Sequence, residues 1–177
     1  MTRELEIVPY DPMWVSEFER ERHFIAQAMG PLALRIDHNG STAVPGLAAK
    51  PVVDIQVSVE RLHPISSYSH RLEALGYLHK PHPDDSFCPF FGKPGDWPRT
   101  HHLHVVEAGG LEERRTLAFR DYLRSHSAVA REYEALKRQL IGEFTGSTLQ
   151  SYAEAKSEFI ERVISLALQA GLPRDFS

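Results

Sequence analysis

Alternating apolar and polar residues mark the clearest element of the chain, a predicted strand over residues 52–59. Valine and isoleucine occupy positions 53, 55, 57 and 59, whereas Asp54, Gln56 and Ser58 fall between them. Successive side chains of a strand point to opposite faces, so the pattern predicts one apolar and one polar face. We expect this strand to be central in a mixed sheet, with helices on its apolar face and Asp54 beside Gln56 on a solvated face.

The rest of the chain alternates between short extended segments and helical periodicity. Further strands are expected at residues 5–8, 33–39, 77–80, 86–92 and 101–106. Helices are expected at residues 11–29, 65–75, 111–125, 128–144 and 149–170. Strands come first and helices last, which favours an α+β fold with a mixed sheet, an N-terminal helix and a C-terminal helical layer. We expect residues 1–177 to form a single domain.

Composition narrows the function without identifying it. The 177 residues carry a formal net charge of -4, so no strongly basic nucleic-acid surface is predicted. Cys88 is the single cysteine and lies among apolar neighbours, which favours an inert buried thiol. No apolar run approaches the roughly 20 residues that span a bilayer, and the N-terminus has no apolar signal core. We therefore expect a cytoplasmic protein without a membrane segment.

A glycine and two hydroxyl residues follow a predicted strand at Gly40, Ser41 and Thr42. Such a turn lets backbone N–H groups approach an anion closely, and the hydroxyl groups add donors. Asp54 then lies within a strand of valines, where a carboxylate must be solvated, paired or bound to metal. Together they suit a triphosphate on the turn and Mg²⁺ or Mn²⁺ on the carboxylate. The alternative is a helix cap at Ser41 or Thr42 and an exposed aspartate.

Other polar residues lie near these positions in the chain. His102 and His104 share one face of a predicted strand, and such a pair can bind a metal ion together with Asp54. The alternative is that both are polar residues of a solvated sheet face. Lys50 lies between the turn and Asp54 and can reach a phosphate, whereas Arg99, just before the histidine strand, is a weaker candidate.

The run from Gly40 to Ile55, Gly-Ser-Thr-Ala-Val-Pro-Gly-Leu-Ala-Ala-Lys-Pro-x-x-Asp-Ile, resembles the signature of the GrpB family. The resemblance extends along nearly the whole chain. It continues at residues 102–105, 118–124, 133–137 and 152–156. It implies a nucleotidyltransferase fold of the polymerase-β type, with Lys137 and Lys156 as further candidates for the site, and a possible link to coenzyme A metabolism through relatives fused to dephospho-CoA kinase.

One position departs from the nucleotidyltransferase pattern, which has a second carboxylate two residues after Asp54. Here that residue is Gln56, and a neutral amide is a weaker ligand for a two-metal centre. The resemblance therefore carries over Gly40, Ser41 and Asp54 but not the second acidic ligand. We expect a metal-dependent nucleotidyl- or phosphoryltransferase with Ser41 and Asp54 as catalytic residues, acting on a small-molecule acceptor. The alternative is a module of the same fold that binds a nucleotide or a coenzyme A precursor without chemistry.

Overall fold

The computed structural model describes residues 6–143 and 149–174, with side chains for residues 6–141 and 156–174. Its five helices are α1 (Met13–Met29), α2 (Ser66–Glu73), α3 (Leu111–Ser125), α4 (Ser127–Glu143) and α5 (Leu149–Gln169). Its five strands are β1 (Arg35–Asn39), β2 (Val53–Val59), β3 (Leu78–His79), β4 (Phe90–Lys93) and β5 (His101–Glu107). Single turns of 3₁₀ helix lie at Gly30–Leu32, Ser41–Ala43 and Pro83–Ser86. Phe144, the predicted end of α4, lies outside the described residues.

The five strands form one mixed sheet in the order β1-β2-β5-β4-β3. β2 and β5 run parallel, and the other neighbouring strands pair antiparallel. The predicted α+β class and mixed sheet are confirmed. The expectation that the Asp54 strand is central is wrong in detail, because β5 occupies the middle and β2 lies between β5 and β1.

The apolar face of the sheet is covered as the alternation predicts. Ile55 and Val57 of β2 are fully buried and join one core with Leu103 and Val105 of β5. The side chains that α1 and α2 contribute to this core are Trp14, Phe18, Ile25, Met29, Tyr68 and Leu72. The four from α1 recur at helical spacing, so one side of that helix faces the sheet.

The polar face is not solvated along its whole length, contrary to expectation. Gln56 is 1% exposed and Ser58 is fully buried. The cause is α3, which packs against β1 and β5 on this side of the sheet and is itself held by α4 and α5. Asp54, nearer the end of the helical cover, keeps 31% of its side chain exposed. The helical layer thus leaves one end of the polar face open.

Two predicted strands differ from the structure for local reasons. Of the predicted strand at 5–8, the described part makes one bridge, Val8 with Ala49. In the predicted strand at 86–92, strand pairing starts only at Phe90, after the 3₁₀ turn at Pro83–Ser86. His82 caps that turn by accepting the Asp84 N–H, a helix-start arrangement that competes with extension. No helix in the described ranges combines the length and apolar composition needed to span a bilayer.

Candidate functional site

The glycine turn lies directly against the carboxylate of Asp54. Gly40 has a φ of +67°, and a Cβ at this position would lie 2.3 Å from Asp54 Oδ2. Only glycine therefore combines this backbone conformation with so close an approach. The 3₁₀ turn Ser41–Ala43 follows at once, so the structure brings Gly40, Ser41 and Asp54 together.

The helical layer holds this turn through hydrogen bonds from distant residues. Lys137 Nζ of α4 donates to Ser41 Oγ at 3.1 Å and to the Ala48 carbonyl at 2.7 Å. Arg124 Nε of α3 donates to the Ala43 carbonyl at 2.8 Å. Because these contacts come from two helices, the position of the turn depends on the packing of the whole helical layer.

The two hydroxyl groups of the turn have different surroundings. Thr42 is buried, and its Oγ1 shares a hydrogen bond of 2.9 Å with His38 Nε2. Burial lowers the pKa of His38 to about 4, so the imidazole is neutral near pH 7. Ser41 is partly exposed and carries the Lys137 contact. Of the two hydroxyl groups, that of Ser41 is therefore better placed to meet a ligand.

Three lysines interact electrostatically around the turn and the carboxylate: Lys137 contacts Ser41, and Lys50 and Lys156 are coupled to Asp54. We call Lys50, Lys137 and Lys156 the lysine cluster. Burial and then the positive charge of Lys156 lower the pKa of Lys137 to about 7. The same two causes lower the pKa of Lys50. Burial also lowers the pKa of Lys156, although the charge of Asp54 opposes that shift. Asp54 provides a counter-charge for Lys50 and Lys156, and Glu134 provides one for Lys137, but neither restores the pKa of these buried amines to its usual value.

Asp54 is paired across the sheet with a histidine. His102 Nδ1 lies 3.5 Å from Asp54 Oδ1, and the two residues are register partners of β2 and β5. Burial alone would raise the pKa of Asp54, but His102, His104 and Lys50 outweigh it and hold this pKa below its usual value. Asp54 is therefore ionised at neutral pH and lies between the lysine cluster and the histidines.

The Gln56 side chain is hydrogen-bonded within the protein and does not point to the open end of the polar sheet face. Its Oε1 accepts hydrogen bonds from Thr116 Oγ1 at 2.6 Å and Asn39 Nδ2 at 3.2 Å. Its Nε2 is buried and has no hydrogen-bond partner in the described part of the chain. Gln56 thus links β2 to β1 and α3, and its oxygen is already used where a second metal ligand would be required.

The predicted metal residues are only partly brought together. His102 lies beside Asp54, whereas His104 is the partner of Gln56 in the next row of the sheet. Among residues 6–141 and 156–174, no three His, Cys, Asp or Glu side chains are grouped to hold one ion. Burial lowers the pKa of His104, and its Nδ1 lies 3.6 Å from Cys88 Sγ. Burial raises the pKa of Cys88 to about 12, as expected for an inert thiol.

Local sequence patterns miss the residues that reach the site from afar. Lys137 lies 96 residues from Ser41 in the chain. The helical periodicity around Lys137 does not distinguish it from the other charged residues of α4. Only the family resemblance indicates Lys137 and Lys156. Lys50 and the Gly40 turn, by contrast, are suggested by their nearness to Asp54.

Comparison with solved structures defines the class of fold. The Cid1 poly(U) polymerase, in a structure with Mg and 3'-dATP bound, superposes with a TM-score of 0.52 at 15% identity. The match covers 84% of this chain and 49% of the polymerase. At this identity the likeness concerns the fold alone, and that fold is nucleotidyltransferase-like.

Within this class, the GrpB protein profile matches residues 4–165, and the chain belongs to the GrpB family. The crystal structure of GrpB from Enterococcus faecalis superposes with a TM-score of 0.83 at 34% identity, covering 93% of this chain and 98% of that one. The UPF0157 protein YqkA of Bacillus subtilis is 36% identical over 159 residues, which are 90% of this chain but 46% of that relative. A protein named dephospho-CoA kinase from Mycolicibacterium paratuberculosis is 32% identical over 158 residues, 76% of this chain and 39% of the relative.

Proposed function

We propose that this protein binds the triphosphate of a nucleotide between the Gly40–Ser41 turn and the lysine cluster, and transfers a nucleotidyl or phosphoryl group to a small-molecule acceptor. The observation that carries the proposal is the hydrogen bond from the buried amine of Lys137 to Ser41 Oγ at 3.1 Å. It joins an amine from the helical layer to the glycine turn that touches Asp54.

Electrostatics favours a ligand with several negative charges. The pKa values of all three cluster lysines are lowered, each with burial as the first cause. A bound polyanion would offset the cost of charging these amines, and it would accept charge-assisted hydrogen bonds from them. The Gly40–Ser41 backbone adds neutral N–H donors of the kind that hold phosphates in glycine turns. Lys50, Lys137 and Ser41 would hold the phosphates, with Lys156 supplying further charge.

A two-ion centre does not fit the residues present, because Gln56 replaces the second carboxylate and its oxygen is bound to Thr116 and Asn39. A single Mg²⁺ or Mn²⁺ held by Asp54 and by phosphate oxygens fits better, since Mg²⁺ commonly binds through one or two carboxylates plus substrate phosphates. When bound, the ion would neutralise phosphate charge at the reacting group. The ionised state of Asp54, maintained by His102 and Lys50, suits it to this role.

A second candidate function is binding without chemistry. The observation that favours it is the same loss of the second carboxylate at Gln56. In this version the turn and the lysine cluster bind a nucleotide or a phosphate-bearing coenzyme A precursor. The dephospho-CoA kinase named above contains a similar segment, which supports including such precursors among the ligands tested. A cytoplasmic location would suit either version, since both ligand classes occur there.

Thermal-shift and calorimetric titrations with nucleoside triphosphates and coenzyme A precursors, with and without Mg²⁺ or Mn²⁺, test both versions. We expect a triphosphate to stabilise the protein and Lys137→Met to remove most of that effect. Stabilisation that needs metal, together with turnover of an α- or γ-labelled triphosphate, supports the transferase. Stabilisation without metal and without turnover supports the binding module. Equal triphosphate affinity in wild type and Lys137→Met contradicts both versions.

A further inference from the structure

A second cationic feature lies across β5 from Asp54, on the side of β4, whereas the glycine turn that Lys137 contacts follows β1 on the other side of β2. We call Phe90, Trp97 and Arg99 the arginine shelf. The guanidinium carbon of Arg99 lies 5.4 Å from the ring centroids of both Phe90 and Trp97. A guanidinium held against aromatic rings is stabilised by their π-electrons and is more weakly hydrated than an ammonium group.

The backbone is shaped to keep Arg99 in this place. A Cβ on Gly92 would lie 2.7 Å from Arg99 Nε and 3.0 Å from its Cδ, so a larger residue at this position of β4 would displace the Arg99 side chain. The Gly95 carbonyl accepts hydrogen bonds from Arg99 Nε at 3.2 Å and Nη2 at 3.1 Å. Arg99 is therefore ordered before any ligand arrives, which reduces the entropy lost on binding.

The shelf faces the same side of the sheet as Asp54. Gly92, over which Arg99 lies, is the register partner of His102, and His102 is the partner of Asp54. The His102 ring meets the rings of Phe90 and Trp97 edge-on, with centroids 5.0 and 5.9 Å away. Shelf, histidine and carboxylate thus form one row across three strands.

His102 connects the shelf to the candidate catalytic carboxylate. Its Nδ1 lies toward Asp54 Oδ1, at 3.5 Å. Its Nε2 is buried and has no hydrogen-bond partner among the described residues. A buried polar atom of this kind usually has a partner. Its position between Asp54 and the shelf is consistent with a ligand that supplies one.

We infer that the arginine shelf binds the acceptor of the proposed transfer, and that this acceptor carries a phosphate or carboxylate group. The inference rests on the proposed function, which assigns the lysine cluster to the triphosphate. A second anion-binding group on the opposite side of Asp54 then positions a second substrate. Arg99 suits a phosphate or carboxylate because its planar fork matches the oxygens of either group.

The two tryptophans of the chain provide a direct test by NMR. Trp97 belongs to the shelf, whereas Trp14 is a residue of α1 that is 6% exposed and lies in the core on the apolar face of the sheet. The indole N–H signals are followed while glycerol 3-phosphate, glycerate or glycerol is added. A saturating non-hydrolysable triphosphate analogue with Mg²⁺ occupies the lysine cluster during the titration. We expect glycerol 3-phosphate or glycerate, but not glycerol, to shift the Trp97 signal and leave that of Trp14 unchanged.

Variants separate ligand binding from a structural role of Arg99. We expect Arg99→Met to lower the affinity for the anion by about tenfold or more, since a charged hydrogen-bond donor is lost. Gly92→Ala should act in the same direction, because its new Cβ displaces Arg99 without removing its charge. If Arg99→Met folds poorly, Gly92→Ala serves as the second variant that tests the same contact. The control is Lys80→Met, which removes a positive charge that lies 3.8 Å from Asp96 in the same region.

Several outcomes would overturn the inference. One is that neither anion moves the Trp97 signal in the wild type, and another is that Arg99→Met and Gly92→Ala bind the anion as tightly as the wild type. An anion effect that is lost in Lys137→Met and persists in Arg99→Met would assign the anion to the lysine cluster. Calorimetry of the triphosphate analogue on the same samples tests the proposed function separately. Should the analogue not bind, the titration is run without it, and the Trp97 response still decides.

Discussion

The two sides of Asp54 are both cationic, but they are built in different ways. The lysine cluster collects amines from α4, α5 and the segment before β2, and burial lowers the pKa of each. The arginine shelf draws on a short stretch, residues 90–99, and holds one guanidinium by rings and a backbone carbonyl. Burial thus disfavours the charged form of the cluster lysines, whereas the Arg99 guanidinium is stabilised by the rings and the carbonyl beside it. The cluster therefore gains more from an anion than the shelf does.

The largest effect is expected at the carboxylate between the two sides. Asp54→Asn should lower any metal-dependent turnover by about 100-fold or more, since a charged group at the reacting centre is lost. The fold should be retained near pH 7 with a modest loss of stability, because the side chain is partly exposed but its ionised form favours folding. Steady-state rates and thermal unfolding of wild type and variant measure both effects. Asp84→Asn, an exposed carboxylate elsewhere, is the control, and unchanged turnover in Asp54→Asn would exclude Asp54 from catalysis.

Acid titration sharpens the same prediction. The pKa of Asp54 is lowered in the folded state, so its ionised form favours folding above the unfolded value of 3.8. That contribution is lost as pH falls through the lower folded value. We expect wild type to lose stability relative to Asp54→Asn over this acid range, as measured by denaturant unfolding at several pH values.

The next largest effect should distinguish the cluster from other surface charge. Lys137→Met is expected to weaken triphosphate binding by about 30-fold or more, because it removes a buried charged donor from the anion. Lys80→Met, remote from the turn, should leave the affinity unchanged. Isothermal calorimetry of both variants makes the comparison. Similar losses in the two variants would mean that the triphosphate responds to net charge rather than to the cluster.

Proton uptake provides an independent measure of the cluster. The pKa of Lys137 is about 7 in the folded protein, against 10.5 for an ordinary lysine. Between these values the unfolded chain binds more protons than the folded one, so this residue makes stability rise with pH across that range. A bound triphosphate should restore the protonated amine. We expect binding near pH 8 to take up a proton in wild type and less in Lys137→Met, measured by calorimetry in buffers of different ionisation enthalpy.

The glycine turn allows a stability comparison with an internal control. Gly40 and Gly46 both have positive φ, +67° and +82°, but a Cβ on Gly46 would have nothing within 4 Å. Gly46→Ala therefore reports backbone strain alone, about 1 kcal/mol or more. Gly40→Ala adds the collision with Asp54 and should lower the free energy of unfolding by about 1–3 kcal/mol more. Equal losses in the two variants would mean that Asp54 moves aside freely.

The sequence predicts the strands and helices that follow a local repeat of apolar residues. It does not predict contacts between residues that are distant in the chain. Alternation along residues 52–59 identifies the apolar face of β2 correctly, because its period is a property of the strand itself. It cannot reveal that α3 covers Gln56 and Ser58, since the contact with Thr116 spans 60 positions. The contact between Gly40 and Asp54 is likewise invisible to periodicity. The sequence pattern does not reveal the arginine shelf, because Arg99 lies in space that is open only since Gly92 has no side chain.

The smallest expected effect concerns Gln56, where this chain departs from a two-carboxylate site. Gln56 is bound to Thr116 and Asn39, and an aspartate is too short by one methylene to keep both contacts. Gln56→Asp should therefore cost stability in the absence of metal, both from the lost hydrogen bonds and from repulsion with Asp54. The new carboxylate would leave the same strand face as Asp54, two residues along.

Magnesium affinity tests whether that face accepts an ion. One carboxylate binds Mg²⁺ weakly without a phosphate ligand, so the wild-type protein alone should have poor affinity. A second carboxylate near the ion should raise that affinity by about tenfold, equivalent to roughly 1.4 kcal/mol. Calorimetric titration of Mg²⁺ into wild type, Gln56→Asp and Gln56→Asn tests this prediction. Gln56→Asn is the uncharged control, because its side chain has the same length as that of aspartate. If all three bind Mg²⁺ equally, position 56 does not face a metal site. A transferase mechanism would then have to rely on Asp54, the lysine cluster and the phosphates alone.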